Sequence, residues 1–168
     1  MKATTWEAID SQHREFPQSR ASGVSDAEIR DAADRLGILF PSDYSEFLVR
    51  CGGGHVGSYA IAGLRRWAFA ANDNWDVVAQ TDAFRRQRFP GTEQWVVFTD
   101  DGSGNPIGFD AQGRIWLSDH DSAEFVGLAP SFETWLRTEV LKLDEPTSEY
   151  FAQERWPQEI LDQIRKNR

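Results

Sequence analysis

The sequence predicts an α+β fold, a single domain in which helices pack an antiparallel sheet, and three observations carry that prediction. A capped helical pair occupies about residues 25–51, a three-strand meander occupies 95–117, and a further apolar-faced helix follows Ser131. The meander is the organising stretch. Residues 95–98 (WVVF) are apolar without a break, as in a strand covered on both faces. Residues 100–105 (DDGSGN) are dense in types that tolerate tight turns and positive φ. Ile107 and Phe109 then alternate with Gly108 and Asp110, residues 111–113 (AQG) reverse the chain, and Ile115 and Leu117 supply the last inward face.

Taken in order, Thr5 is placed to cap a short helix with Trp6, Ile9 and His13 on one side, ended by Phe16 and Pro17. Residues 17–24 read as a linker. Ser25 and Glu28 form a capping box, in which the hydroxyl accepts from the Glu28 amide and the carboxylate reaches back. Ile29, Ala32, Ala33 and Leu36 follow at helical spacing, and Gly37 stands at the C-terminal cap. A second helix after Pro41 puts Tyr44, Phe47, Leu48 and Cys51 on one face, and Gly52, Gly53 and Gly54 stop it. Residues 58–61 read as a short strand. Residues 64–69 fit a strand or a helical turn, and periodicity does not choose. Trp75, Val77 and Val78 mark another ordered element, and residues 85–88 (RRQR), the one basic cluster, read as a solvated loop. The helix after Ser131 aligns Phe132, Trp135, Leu136, Val140 and Leu143, and a last helix follows Pro157.

Composition narrows the function. The chain has 168 residues, enough for one domain with a real core, and a net charge of −9. That balance argues against a nucleic-acid-binding surface, because phosphate contacts need Lys and Arg. It suits a cationic protein partner, and it also suits plain solubility. Cys51 is the one cysteine, so disulfides and cysteine-based zinc sets are excluded, and on an apolar helix face it reads as a small buried hydrophobe. No run approaches membrane-spanning length, and residues 1–10 lack the pattern of a signal peptide. The expectation is a cytoplasmic protein that binds neither membrane nor nucleic acid.

Catalytic and metal motifs fare poorly. Neither glycine run has the context of a phosphate loop or a nucleophile elbow. Asp100, Asp101 and Asn105 lack the ligand spacing of a calcium loop, and His120 with Glu124 lacks a second histidine. His120 between Asp119 and Asp121 is the most catalytic-looking group, but Ser103, Ser118 and Ser122 stand in no recognisable nucleophile context. The expectation is no catalytic set, no metal and no cofactor. Charge placement says more. Between 100 and 124 there are six acidic residues (Asp100, Asp101, Asp110, Asp119, Asp121, Glu124) against Arg114 alone, more than half of the net charge. Crowded on one edge of the sheet, they would steer a basic partner. Turns also tolerate Asp for their own reasons.

In order and spacing, these signals resemble the SUKH superfamily, which includes the fungal cell-wall-assembly regulators of Smi/Knr type. The matching pieces are residues 25–29 (SDAEI), Leu36-Gly37, residues 41–48 (PSDYSEFL), the glycines 52–54, residues 95–98, residues 101–105 (DGSGN) and residues 131–136 (SFETWL). Phe40 stands where the family commonly has Leu. The resemblance spans about residues 24–143, which is taken as the core of a single domain over 1–168 with an N-terminal helix and a C-terminal helical tail. It implies an α+β fold with helices on an antiparallel sheet. For bacterial members it implies a non-catalytic immunity protein that binds and neutralises a cognate toxin, often a nuclease, by occluding its active site or substrate groove. For relatives of the fungal type it implies a regulatory protein-binding scaffold. It carries no catalytic residues to transfer. The expected contact residues are Asp100, Asp101, Asp119, Asp121 and Glu124, with Trp67 and Trp75 as anchors if exposed, since Trp is enriched in binding hot spots.

Overall fold

The computed structural model describes residues 1–70, 75–122 and 124–145. The expected last helix after Pro157 lies outside them. Helix α1 (Ala3–Glu15) buries Thr5, Trp6, Ile9 and His13. Lys2, not Thr5, holds the N-cap position. Thr5 lies inside the helix because its hydroxyl has partners elsewhere: it donates to Glu133 Oε1 (2.7 Å) and accepts from Arg137 Nη1 (2.9 Å). The linker after Pro17 is tied down, with Ala21 N–H donating to the Gly53 carbonyl (3.0 Å) and Val24 N–H to that of Leu48 (3.2 Å).

Helix α2 (Asp26–Leu36) carries the expected capping box, both halves formed, and Gly37 ends it in the left-handed region. Helix α3 (Ser42–Cys51) buries the four predicted residues, and burial pushes the Cys51 thiol up to about 11, away from nucleophilic use. The glycine run that stops α3 also opens a strand. Gly52 is left-handed, and β1 (Gly54–Val56) then pairs antiparallel with β2 (Tyr59–Ile61). A strand beginning on glycine carries little propensity, so β1 has no signature in the sequence.

The main sheet runs β3 (Val96–Asp100), β4 (Pro106–Phe109), β5 (Ile115–Asp119) and β6 (Glu124–Ala129), antiparallel and in chain order. Three of these strands are the predicted meander. The fourth, β6, continues it. Its residues are mostly part-exposed and include Gly127, so neither a buried run nor a clean alternation marks it. Bulges sit between Val97 and Thr99 and between Ile115 and Trp116. One face of the sheet meets the helices through Tyr44, Phe47, Phe98, Phe109, Phe132 and Trp135. Elsewhere Trp95 and Trp116 stack at 17°, with the Phe125 ring edge-on to Trp95, in a smaller second cluster.

Helix α4 (Val77–Arg86) forms where only an ordered element was expected, capped by Asp76, whose Oδ1 accepts from Val78 and Ala79 N–H. It closes the outer edge of β3: Thr81 Oγ1 accepts from Val97 N–H (3.0 Å) and donates to the Val97 carbonyl (3.3 Å). The basic cluster is a solvated loop only in part: residues 86–88 are exposed and 87–88 form a turn, but 85–86 end α4. Arg85, in the last turn of α4, is half-buried and donates to the carbonyls of Leu36, Thr92 and Trp95. Residues 64–69 are neither strand nor helix: 64–65 bend and 68–69 form a turn. Helix α5 (Phe132–Trp135) passes into a π turn (Leu136–Val140), and Leu143, expected on its apolar side, is 43 % exposed.

Candidate functional site

In an antiparallel meander, alternate turns fall at the same end. The β3–β4 and β5–β6 turns therefore share one end of the sheet, and the β4–β5 turn lies at the other. This places Asp100, Asp101, Asp119, Asp121 and Glu124 together. The grouping is an end of the sheet and not an edge strand. Asp110 leaves the group. It is 3 % exposed in the opposite turn, where Oδ1 accepts from the Gln112 and Arg114 amides and Oδ2 from Arg114 Nε (2.8 Å) and Trp116 Nε1 (2.9 Å).

The five remaining carboxylates have different duties. Asp101 Oδ1 accepts from the Ser103 and Asn105 amides, and Oδ2 from Asn105 Nδ2. Burial opposes its charge, but those hydrogen bonds outweigh it and hold the Asp101 pKa below the usual carboxylate range. Asp119 is held low by the amides of Asp121 and Ser122. Asp100 Oδ1 accepts from Gly102 N–H (2.8 Å). These three shape the turns as well as charge them. Asp121 and Glu124 are exposed, the Asp121 side chain 86 % so.

His120 ties the two turns together. Asn105 Oδ1 accepts from its backbone N–H (3.0 Å) and lies against its ring Nδ1, while Nε2 is 3.3 Å from Asp121 Oδ1. Of the two flanking carboxylates, Asp121 is the one near the ring, and Asp119 is turned to the backbone. Ser118 Oγ is buried and, among the described residues, has no hydrogen-bond partner, so it makes no pair with His120. Among the described residues no three His, Cys, Asp or Glu side chains group as metal ligands.

Beside this end, α4 contributes a wall the sequence reading missed. Gln80, Ala83, Phe84, Gln87, Phe89, Asp100, Ser103, Gly104 and His120 line a cleft of about 470 Å³. Gln80, Ala83, Phe84 and Gln87 recur at i, i+3, i+4 and i+7, a helical face that becomes legible once the helix is assigned. The Phe89 ring stands edge-on to Phe84, at 5.1 Å between centroids, and faces His120 at 6.2 Å.

The tryptophan anchors fare differently. Trp67 is 4 % exposed, and its Nε1 donates to His55 Nδ1 (3.0 Å). It is a packing residue, not a surface anchor. Because an indole N–H only donates, His55 Nδ1 is the unprotonated acceptor, and burial pushes the His55 pKa down. Trp75 is half-buried ahead of α4, with its carbonyl accepting from Gly63 N–H. Neither lines the acidic cleft. Among the described residues the exposed aromatics are Phe16 and Phe69, 52 % and 59 % exposed, on an apolar cleft with Gln12, His55 and Gly57.

The class these features define is a small α+β protein with an acidic end built from the turns of an antiparallel meander, beside a cleft under the adjoining helix. The chain belongs to the SMI1/KNR4 family (SUKH-1), whose model matches residues 23–138. No curated protein matches the chain. Among the described residues, no helix is long and apolar enough to cross a membrane.

Proposed function

We propose that this protein is a cytoplasmic, non-catalytic immunity protein that binds a basic toxin and occludes its active site or substrate groove. The observation that carries the reading is the gathering of Asp100, Asp101, Asp119, Asp121 and Glu124 at one end of the sheet, with Asp121 and Glu124 exposed. Carboxylates displayed in this way occupy positions that a nuclease keeps for phosphates, and they steer the encounter from a distance. Family membership supports a protein partner, and the resemblance noted above supplies the toxin. The second reading is a regulatory scaffold for endogenous partners. It is favoured by the apolar cleft at Phe16 and Phe69, a surface that needs no charge.

The test is co-purification with the product of the adjacent gene at low and high salt. A tight complex that loosens with salt is the expected result. A complex indifferent to salt moves the interface to the Phe16–Phe69 surface, and no complex at either salt favours the scaffold.

A further inference from the structure

We infer that the cleft between α4 and the acidic turns is a receptor for one arginine side chain presented by the partner protein. The inference rests on the partner-capture reading and adds the chemistry of the contact. Three features of the cleft converge on a guanidinium.

The first is an orphan acceptor. Gln80 is 5 % exposed and lines the cleft, and among the described residues its Oε1 has no hydrogen-bond partner. A buried amide oxygen without a donor is costly, and folding alone gives no reason to keep it. The oxygen is itself closed to solvent, so a donor seated in the cleft meets it as the Gln80 side chain turns toward that donor. The second is charge. The Asp100 carboxylate lines the same cleft, and Asp101, Asp119, Asp121 and Glu124 share that end of the sheet. An anion or a neutral donor would not profit from that field. The third is shape. Phe84 and Phe89 line the cleft with aromatic surface, which suits a flat cation with apolar faces.

A guanidinium meets all three demands at once. It is planar, always charged, carries five N–H donors in a fixed fork and packs on aromatic rings. A lysine ammonium offers donors and charge but is compact and strongly hydrated, so it leaves the aromatic walls unused. The cleft, at about 470 Å³, has room for the side chain and part of the backbone that presents it. The guanidinium donates to Gln80 Oε1 and to the Asp100 carboxylate, against Phe84 and Phe89.

The probe is the blocked tripeptide acetyl-Gly-Arg-Gly-amide, titrated into the full chain and followed by amide and side-chain NMR. Its citrulline and lysine counterparts and methylguanidinium serve as comparisons. Saturable movement of the Gln80 side-chain amide with the backbone amides of Ser103, Gly104 and His120 is expected, and this reading needs no variant. The arginine peptide should bind about tenfold or more tightly than its citrulline counterpart, which keeps the shape and loses the charge. Gln80→Leu should bind the arginine peptide about tenfold more weakly while melting no lower than the parent, since it removes a buried orphan and an acceptor for the guanidinium. Absent or non-saturating shifts, equal binding of the citrulline peptide, or full affinity in a folded Gln80→Leu protein would overturn the inference. Equal affinity for methylguanidinium and the peptide would overturn the assignment to a protein partner. If Gln80→Leu leaves toxin binding intact while neutralising Asp121 and Glu124 weakens it, the arginine receptor fails and the capture reading stands.

Discussion

Tyr44 is fully buried, yet it is polar, and both facts are used. Its ring packs against Phe40, Phe98, Phe109 and Phe132, and its hydroxyl donates to the Ala62 carbonyl at 2.7 Å. That bond anchors α3 to the chain just beyond β2. Tyr44→Phe keeps the ring contacts and strands a buried carbonyl, so unfolding in denaturant should show a loss of about 1–2 kcal/mol. The placement of Tyr44 on an apolar face was legible in its spacing with Phe47 and Leu48. Its partner was not, because a bond between residues 44 and 62 depends on how β2 meets the core. The same limit explains Asp110 and Trp67. In sequence, Asp110 is one more turn acid and Trp67 one more aromatic. Only the fold shows that Trp116 and Arg114 claim the first and His55 claims the second.

Among the elements, α2 was readable in full because its signals are local. The capping box, the apolar spacing and Gly37 all lie within the helix or next to it. Glu28 does more than cap. It also pairs with Arg65, beyond β2, and the Ser25 amide, Arg65 and the Ser25 hydroxyl hold its pKa at about 2. The folded pKa lies below the ordinary value of 4.5, so the unfolded chain takes the proton first as pH falls. Glu28 therefore contributes stability above pH 4.5 that is lost as pH drops through about 2. Thermal melts across that window should show Glu28→Gln with a shallower acid slope than the parent. A parallel slope would mean the cap and the ion pair do not couple to folding. The elements that were not readable are those whose signals are distant. Strand β1 starts on glycine and is defined by its pairing with β2. Strand β6 exposes much of its length and is held by β5. Helix α4 was visible only as an ordered stretch, and with it went the face that carries Gln80 and Phe84.

At the scale of the whole molecule, the meander fixes the charge map. Because its strands run in chain order, two turns rich in Asp share an end, and β3 delivers Asp100 to the foot of α4. The sequence showed that acids were concentrated between residues 100 and 124. It did not show that Asp110 belongs to the other end, nor that α4, upstream in the chain, walls the site. On the proposed reading this end is the capture surface, and Asp121 and Glu124 are the acids to test because, unlike Asp101 and Asp119, they are not turned inward to hold the turns. The most direct measurement is the association rate with the product of the adjacent gene, for the parent and for Asp121→Asn/Glu124→Gln, at low and high salt. Electrostatic capture predicts that the variant associates about three- to tenfold more slowly at low salt and that the difference closes at high salt. Equal rates for parent and variant at low salt would contradict it.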